Sequence, residues 1–328
     1  MFEKGLVIGK FYPPHRGHKY LIDTALAACE EVTVIVCYKK TETVPGELRA
    51  SWIKKIHPTA HVILIDDSSE LDDDDSKGWA DYTKEILGYT PDAVFTSEAY
   101  GDSYASFLGC VHVLVDKKRV AFPVSGTLVR SDPMKSMQFL EPCVRSYFVK
   151  RICVLGAEST GTTTLARALA EHYRTVWVPE YGRFFSEGKL SLGSEVEWRT
   201  EEFVSIAKAQ KQFEEGLAES ANGVVICDTD AFATSVWHER YMGKMADAVE
   251  YVADSSPHDL YILTGDEIPF EQDGTRDGEH IRHDMHKRFV DKLNETKRSF
   301  ITVCGSHQER LGKAIAAIDV LRLNKQSC

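Results

Sequence analysis

The sequence contains no long hydrophobic run. No apolar stretch among its 328 residues approaches the ~20 that a membrane-spanning helix requires. The chain opens with Met1-Phe2-Glu3-Lys4 and passes directly into a strand-like run, which leaves no room for a secretory signal peptide. We therefore expect a cytoplasmic protein that does not insert into a membrane.

Cysteine pairing motifs are also missing. The eight cysteines are scattered, and none lies in C-x-x-C spacing. Cys37, Cys153, Cys227 and Cys304 lie in apolar, strand-like runs, where a thiol packs as a small hydrophobic group. We expect reduced core thiols, and neither disulfides nor zinc ligands.

Basic residues are fewer than acidic residues. The chain carries 39 lysines and arginines against 50 aspartates and glutamates, for a formal net charge of −11 at pH 7. This balance argues against broad contact with nucleic acid, so no nucleic-acid partner is expected. An acidic enzyme can still bind phosphate if its cations converge in one cleft. The oligomeric state is not fixed by the sequence, and a homo-oligomer stays open.

Short β-branched runs alternate with helical patterns along the whole chain. Repeated β-α-β units with apolar strands predict parallel sheets that helices cover on both faces. We expect an α/β protein of two doubly wound domains, 1–149 and 150–328, because a new strand and a new glycine-rich turn begin near residue 150. The predicted strands are 6–9, 32–37, 62–65, 93–96, 111–115, 152–155, 175–178, 224–227, 260–263 and 300–303, and the predicted helices include 19–30 and 163–172.

The first glycine-rich turn, G-K-F-Y-P-P-H-R-G-H, follows the first predicted strand. His15 and His18 lie three positions apart, so both imidazoles occupy one face of the helix that begins there. The first turn of a helix also offers unpaired N–H groups and the positive end of its dipole to an anion. Gly17 has no side chain and lets a phosphate approach the backbone. This arrangement suits a nucleoside triphosphate and indicates a nucleotidyltransferase.

A second element, S-G-T-L-V-R, occupies residues 125–130 and is predicted to open a later helix. Ser125 can cap that helix, and Gly126 admits a phosphate. Arg130 lies on the same face as Thr127 and can grip phosphate oxygens with two parallel hydrogen bonds. Ligands of an open parallel sheet bind at the carboxyl ends of its strands. We therefore expect this element, Lys10 and the two histidines to surround one ligand.

These two motifs, in this order, resemble the signature of the HxGH nucleotidyltransferases. Segments 45–52, P-G-E-L-R-A-S-W, and 96–101, T-S-E-A-Y-G, are similar to the NadR-type branch of that family. That branch comprises bifunctional nicotinamide mononucleotide adenylyltransferase/ribosylnicotinamide kinases, and the resemblance covers nearly the whole chain. It implies a Rossmann-like nucleotidyltransferase domain followed by a P-loop kinase-like domain. Longer members begin with a DNA-binding module, which is not expected here because the first strand starts near residue 5.

By that resemblance, ATP and nicotinamide mononucleotide react to give NAD and pyrophosphate. The 5′-phosphate of the mononucleotide attacks the α-phosphorus of ATP in line, so catalysis is mostly positioning and charge neutralisation. His15 and His18 would hold the ATP phosphates, with His18 nearest the reacting centre. Lys10, Thr127 and Arg130 would neutralise the departing pyrophosphate, with Mg²⁺ bridging phosphate oxygens. The remaining residues expected at the ATP site are Gly9, Phe11, Gly17, Ser125 and Gly126.

The pyridinium ring of the second substrate needs an aromatic face. Trp52, Trp79 and Tyr100 are the expected contacts, and Arg49 is the expected partner of the mononucleotide phosphate. An alternative keeps the enzyme class and changes the substrate, because HxGH enzymes also transfer nucleotides to phosphopantetheine or to alcohol phosphates. The kinase-like second half and the T-S-E-A-Y-G segment argue against that alternative.

The second glycine-rich turn, G-A-E-S-T-G-T-T-T, is nearly the phosphate-binding loop G-x-x-x-x-G-K-[ST]. Position 162 should be lysine and is threonine, so the point charge that normally reaches the β- and γ-phosphates is missing. The loop amides can still hold phosphate, so we expect binding to survive better than turnover. The residues expected in this loop are Gly156, Glu158, Ser159, Thr160, Gly161, Thr162, Thr163 and Thr164.

Metal ligands are expected beside this loop. Thr163 stands where a phosphate-binding loop carries its magnesium-binding hydroxyl. Asp228 directly follows the apolar strand 224–227, and the segment Asp228-Thr229-Asp230 is the place for a magnesium-orienting carboxylate and a candidate base, with Asp230 among the expected substrate-site residues. Thr163 and Asp228 are therefore the predicted Mg²⁺ ligands, with ATP as the magnesium-bound substrate.

Further segments resemble the substrate and lid regions of a ribosylnicotinamide kinase. Glu180 and Arg183 lie in P-E-Y-G-R, which resembles the nucleoside-binding segment of the family. Arg276, within D-G-T-R-D-G, and Arg282 resemble lid arginines that would meet the γ-phosphate. Residues 305–310 fit the family's adenine-side loop. Ribosylnicotinamide is the substrate that this half implies.

The absent lysine leaves three explanations open. The second domain is a degenerate kinase retained as a structural or nucleotide-sensing module. Alternatively, Arg167, Arg276 or Arg282 compensates and the enzyme is fully bifunctional. The third explanation is an inactivating substitution introduced at Thr162.

Overall fold

A computed structural model describes residues 1–67, 72, 75–191, 193, 197–255, 257–272 and 278–323. Backbone contacts divide the chain into two compact units, one comprising Met1–Tyr147 and the other beginning at Phe148. Each unit is built around its own parallel sheet.

The first unit alternates strands and helices. A one-turn 3₁₀ helix at Met137–Phe139 lies between its last two helices. Its elements are β1 (Phe2–Gly9), α1 (Arg16–Ala28), β2 (Cys29–Tyr38), α2 (Gly46–Ile56), β3 (His61–Asp66), α3 (Ser76–Leu87), β4 (Ala93–Thr96), α4 (Gly101–Leu108), β5 (Val111–Leu114), α5 (Gly126–Ser131), α6 (Pro133–Ser136) and α7 (Pro142–Phe148).

The first sheet has the order β3-β2-β1-β4-β5, with all neighbours parallel. This is the doubly wound arrangement in which the strand order reverses beside the first strand. Leu6 and Val7 of β1 are fully buried although they point to opposite faces, because helices cover both sides of the sheet. The predicted doubly wound α/β fold is confirmed for this unit.

The second unit repeats the plan with a different strand order. Its elements are β6 (Lys150–Leu155), α8 (Thr162–Tyr173), β7 (Trp177–Val178), α9 (Tyr181–Leu190), α10 (Thr200–Ala218), β8 (Val224–Asp228), α11 (Ala231–Met242), α12 (Asp247–Asp254), β9 (Leu260–Thr264), a 3₁₀ helix at Glu279–Ile281, α13 (Arg282–Glu295), β10 (Phe300–Val303) and α14 (His307–Leu323). Its sheet has the order β10-β9-β6-β8-β7, again parallel throughout. The predicted α/β fold is confirmed here as well.

Element boundaries differ from the sequence expectation at two places. The helix predicted over 19–30 ends at Ala28, because Cys29 is extended and pairs with Phe2 at the start of β2. The strand predicted over 175–178 is reduced to Trp177–Val178. The side chain of Thr175 instead donates a hydrogen bond to the carbonyl oxygen of Val224.

The seven cysteines within the described ranges are free thiols. Burial keeps the pKa of Cys153 and Cys227 well above the usual value, as expected for core thiols. Cys304 was expected in the core and is exposed, because β10 ends one residue before it. In the part of the chain described, no helix combines the length and apolarity needed to cross a bilayer.

Candidate functional site

The turn after β1 places His15 at the N-cap of α1. Its ring Nδ1 accepts a hydrogen bond from the backbone N–H of His18, at 3.3 Å. A neutral imidazole that accepts at Nδ1 carries its proton on Nε2, so His15 can donate from Nε2 to a ligand. The cap thus fixes the orientation of the ring as well as the start of the helix.

The rings of His15 and His18 stack, with centroids 3.7 Å apart and an interplanar angle of 16°. Burial, and then the charge of Arg119, lowers the pKa of His15 to about 4. The pKa of His18 is lowered well below its usual value by burial, and then by the charges of His15 and Arg119. Both imidazoles are therefore neutral at pH 7 and act as hydrogen-bonding groups.

Arg130 reaches the same turn from α5. Ser125 caps α5 by accepting a hydrogen bond from the backbone N–H of Leu128, which confirms the predicted cap. The Arg130 guanidinium donates to the carbonyl oxygen of Tyr12 and lies 4.2 Å from the centre of its ring. A side chain at Gly126 would collide with that carbonyl oxygen, so glycine is required there for close packing. This packing brings a guanidinium next to the histidine turn.

One cavity of about 370 Å³ collects these groups at the carboxyl end of the first sheet. Every residue that the sequence predicted for the catalytic and ATP groups lines it. These residues are Gly9, Lys10, Phe11, His15, Gly17, His18, Ser125, Gly126, Thr127 and Arg130.

Arg119 also lines this cavity and was missed by the sequence reasoning. Its guanidinium pairs with Glu98 at 3.0 Å, and its charge contributes to the lowered pKa values of both histidines. Asp116 holds the loop that carries it by accepting hydrogen bonds from the backbone N–H groups of Val120 and Ala121. The signal was present in the basic run K-K-R after β5, which stands out in an acidic chain.

A second cavity of about 500 Å³ adjoins the first and shares Gly9, Lys10 and Tyr100 with it. Trp79 and Tyr100, two of the aromatic residues expected near the mononucleotide, line this second cavity. The Trp79 indole N–H donates to the carbonyl oxygen of Asp72, which fixes the ring at the start of α3. An aromatic-walled cavity therefore lies beside the first one, with Lys10 on the wall of both.

The structure does not bring Arg49 and Trp52 to either cavity. The Arg49 side chain is 0% exposed and donates to the carbonyl oxygen of Lys10 at 2.6 Å while pairing with Glu42. Trp52 is buried against the ring of Tyr147. Their contacts with the mononucleotide stay a prediction: α2 turns both side chains inward, and Arg49 supports the turn after β1.

In the second unit, the phosphate-binding loop joins β6 to α8. Gly161 is the N-cap of α8 and has φ of +81°, a conformation that favours glycine. The Thr160 hydroxyl donates to the carbonyl oxygen of Ala157 at 2.6 Å, so this side chain is turned into the loop and away from a ligand. Arg310 braces the loop by donating to the carbonyl oxygen of Thr160 at 2.7 Å.

Thr162 and Thr163 both hydrogen-bond the carboxylate of Asp228. Burial raises the pKa of Asp228, and these hydroxyls and the charges of Arg183 and Arg167 oppose the shift. A hydroxyl and a carboxylate are the hard oxygen donors that Mg²⁺ takes when it keeps several waters. Thr163 and Asp228 therefore fit the metal, while Thr162 offers a neutral hydroxyl where a lysine would offer a charge.

A cavity of about 220 Å³ faces this loop. Glu180 and Arg183 lie on its wall, as expected, together with an aromatic group that the sequence reasoning missed. In that group, the ring of Trp198 lies 5.1 Å from Phe203 and 5.5 Å from Tyr241. The loop residues lining the cavity are Gly156, Glu158, Ser159, Gly161, Thr162, Thr163 and Thr164.

Asp230 and Arg282 serve structural contacts. Asp230 is buried, caps α11 through the backbone N–H of Ala233 and accepts from the hydroxyl of Tyr261. Arg282 is 5% exposed and donates to the carbonyl oxygens of Ile268 and Ser159. Neither side chain lines the cavity, so the structure does not bring these two residues to it, and their roles stay a prediction.

The remaining predicted arginines fall elsewhere. Arg276 and the D-G-T-R-D segment around it lie outside the described residues. Arg167 is exposed on α8, with its guanidinium 4.3 Å from the centre of the Trp177 ring.

Comparison with known proteins gives matches along the whole chain. A protein-family model described as an AAA domain matches residues 151–310. The chain is 30% identical over 323 residues to the trifunctional NAD biosynthesis/regulator protein NadR of Escherichia coli (strain K12), covering 91% of this chain and 78% of that one. The NadR protein of Salmonella typhimurium (strain LT2) matches with the same identity and coverage.

Solved structures share the fold. A crystal structure of NadR protein in complex with NAD and AMP-PNP has a TM-score of 0.80 at 20% identity, covering 100% of this chain and 98% of the other. A NadR protein in complex with NR has a TM-score of 0.81, also at 20% identity, covering 98% and 96%.

Proposed function

Because the chain belongs to the NadR family, we propose that its first unit transfers an adenylyl group from ATP to nicotinamide mononucleotide, giving NAD and pyrophosphate. The observation that carries the proposal is the convergence of His15, His18 and Arg130 on one cavity. That cavity shares Gly9, Lys10 and Tyr100 with the neighbouring aromatic-walled cavity, which supports a site where two nucleotides meet. The similar structures with NAD and AMP-PNP, and with NR, support ligands of this class.

The reaction forms one P–O bond and breaks another. An oxygen of the mononucleotide phosphate bonds to the α-phosphorus of ATP, and the bond from that phosphorus to the bridging oxygen of the β-phosphate breaks. Pyrophosphate leaves with the electron pair of the broken bond. The protein contributes alignment and neutralisation of the phosphate charge.

The neutral histidines hold phosphate oxygens as hydrogen-bond donors. Lys10, Arg119 and Arg130 supply the positive charge of the cavity. Mg²⁺ entering with ATP adds charge neutralisation when bound. The approaching triphosphate favours the protonated imidazole, so ATP binding raises the pKa of His15 and His18.

Product analysis tests this proposal. The protein is incubated with ATP, Mg²⁺ and nicotinamide mononucleotide, and NAD is quantified by chromatography. Parallel reactions with phosphopantetheine and with alcohol phosphates test the alternative substrate classes. NAD formation supports the assignment, and nucleotide transfer to one of the other acceptors alone would replace it.

For the second unit, we propose nucleotide binding with a slow ribosylnicotinamide kinase activity. The backbone cradle, the Thr163–Asp228 pair and the aromatic wall are in place, while position 162 supplies a hydroxyl. Of the cations considered as compensation, Arg282 donates to backbone carbonyls, and Arg167 lies over the Trp177 ring, outside the lining of the cavity. Binding of an ATP analogue by the full chain, with phosphorylation of ribosylnicotinamide measured alongside, tests this proposal.

A further inference from the structure

The second unit contains a buried cluster of three metal-ligating side chains that the proposed chemistry does not use. Glu214 lies on α10, Cys227 on β8, and His258 in the segment between α12 and β9. One ligand atom of each lies within 4.8 Å of the other two, and all three residues are buried. None of them lines the cavity that faces the phosphate-binding loop. Within the described ranges, this is the one cluster of three His, Cys, Asp or Glu side chains that meets this description.

Two of these side chains face each other without a hydrogen bond. His258 Nε2 lies 3.6 Å from Glu214 Oε2, beyond hydrogen-bond distance, and the two side chains are 1% and 4% exposed. In the part of the chain described, neither that nitrogen nor Glu214 Oε1 has a hydrogen-bond partner. Unpartnered polar atoms cost free energy in a protein interior, and an ion bound between them satisfies both.

The other ring nitrogen of His258 faces a second carboxylate. Nδ1 lies 3.1 Å from Asp230 Oδ2. Asp230 is itself held in place, because it accepts hydrogen bonds from the backbone N–H of Ala233 and from the hydroxyl of Tyr261. A carboxylate beside the second nitrogen is the usual outer partner of a metal-ligating histidine, since it keeps the ring proton on Nδ1 and leaves Nε2 for the metal.

The donor atoms of the cluster indicate which metal it would take. Mg²⁺ and Ca²⁺ prefer oxygen donors alone, whereas a thiolate, an imidazole and a carboxylate together suit zinc. A tetrahedral zinc ion with ordinary bond lengths holds such ligand atoms roughly 3.3 to 3.6 Å apart. The 3.6 Å between His258 Nε2 and Glu214 Oε2 is of this size.

We propose that Glu214, Cys227 and His258 bind one zinc ion, which ties α10 to β8 and to the segment before β9. On binding, the Cys227 thiol releases its proton to water, and the sulfur donates its electron pair to the metal. His258 Nε2 and a Glu214 oxygen supply the other two protein ligands and leave a fourth position for water. The sequence analysis predicted no zinc ligand, because these residues are far apart in the chain and show no ligand spacing.

Metal analysis of the refolded full chain tests the site. Because the ligands are buried, the protein is unfolded in urea with a chelator and refolded with Zn²⁺ or with chelator alone. We expect one zinc ion per chain after unbound metal is removed, and a higher urea midpoint for the zinc-refolded protein.

Two cysteine variants locate the bound metal. In Cys227→Ser we expect zinc affinity to fall at least about 100-fold, the upper end of what losing an outer partner of a ligand costs. Cys153→Ser is the matched control, because Cys153 is equally buried, pairs in register with Cys227 on the neighbouring strand β6, and is not one of the three ligands. That variant keeps the wild-type affinity.

A wild type that retains no zinc, or equal affinity in the wild type and Cys227→Ser, would overturn the proposal and leave a metal-free cluster of ion pairs. Should Cys227→Ser not fold, X-ray absorption at the zinc edge decides. It is measured on a chain carrying Cys304→Ser and Cys328→Ser, which removes the exposed thiol and the C-terminal one. We expect one sulfur ligand at about 2.3 Å, and a zinc ion without sulfur contradicts the proposal.

Discussion

The two nucleotide sites of this protein use the same place in their sheets and different groups to hold phosphate. Each site lies where the central strand, β1 or β6, passes through a turn into a helix. In the first unit, histidine, lysine and arginine side chains line the cavity. In the second, the phosphate-binding loop with its hydroxyl side chains lines the cavity, together with the carboxylates of Glu158, Glu180 and Asp228 and, among the described residues, a single arginine, Arg183. A cradle made of backbone can survive the loss of a cation, whereas a site made of side chains depends on each of them.

The largest expected effect is at His18. Replacing it with alanine removes a hydrogen-bond donor at the proposed reacting centre, and we expect NAD formation to slow by about 10³-fold. Steady-state kinetics with ATP and nicotinamide mononucleotide measure this loss. His61→Ala, at an exposed position of β3, is the control and retains activity. Wild-type turnover in His18→Ala would remove this ring from the mechanism.

Introducing a positive charge at position 162 tests the same comparison in the second unit. In Thr162→Lys an ammonium can reach the β- and γ-phosphates, and we expect ribosylnicotinamide phosphorylation to rise by about 10²-fold. Radiolabelled ATP gives the rate. His172→Lys places the same charge near the other end of α8, at an exposed position that does not line the cavity, and produces no gain. An unchanged rate in Thr162→Lys would show that the defect of the second unit lies elsewhere.

Replacing Arg310 tests how much this side chain stabilises the phosphate-binding loop of the second unit. This arginine is buried and donates to the carbonyl oxygens of Thr160, Gly265 and Gly305. Its replacement by alanine leaves buried carbonyls without partners, and we expect the free energy of unfolding to fall by about 3 kcal/mol. Urea unfolding measures the change. Lys313→Ala, on the exposed side of α14, serves as the control, and equal stability of the two variants would contradict the bracing role.

The smallest expected effect is a pH dependence that separates the two sites. The described residues lining the second cavity include no histidine, whereas the pKa of His15 is lowered from 6.5 to about 4. Between these values the unfolded chain binds a proton that the folded protein rejects. The stabilisation from His15 is therefore full above pH 6.5 and is lost as the pH falls towards 4.

Between pH 6.5 and 4 the free energy of unfolding falls by about 2 kcal/mol from this group. The whole pKa shift would give ~3 kcal/mol, and the value is smaller because the ring borders an open cavity. Urea unfolding of the wild type and His15→Gln at pH 7, 5.5 and 4.5 measures it. The difference between the two proteins narrows as the pH falls. Parallel pH profiles would contradict the burial of a neutral ring.

Much of the fold could be read from the sequence because both sheets are parallel and buried on both faces. Their strands are continuous apolar runs, and 93–96 and 300–303 match β4 and β10 residue for residue. The turn after β1 could also be predicted, since the spacing of His15 and His18 and the paired element around Arg130 have a direct chemical reading. The residues of such a motif are close in sequence, so the helix that they begin fixes their relative positions.

The direction in which isolated charged side chains point could not be read in the same way. Arg49 and Arg282 resemble substrate-binding arginines in sequence, yet each donates to backbone carbonyls in the interior. Packing of helices on the sheet decides these orientations, and single-sequence spacing does not encode it.

A paired assay on one preparation of the full chain tests the contrast between the two sites most directly. NAD formation from nicotinamide mononucleotide and phosphorylation of ribosylnicotinamide are measured at the same ATP and Mg²⁺ concentrations. The account predicts NAD formation, with phosphorylation slower by about 100-fold or more. Phosphorylation as fast as NAD formation, or no NAD at all, would contradict it.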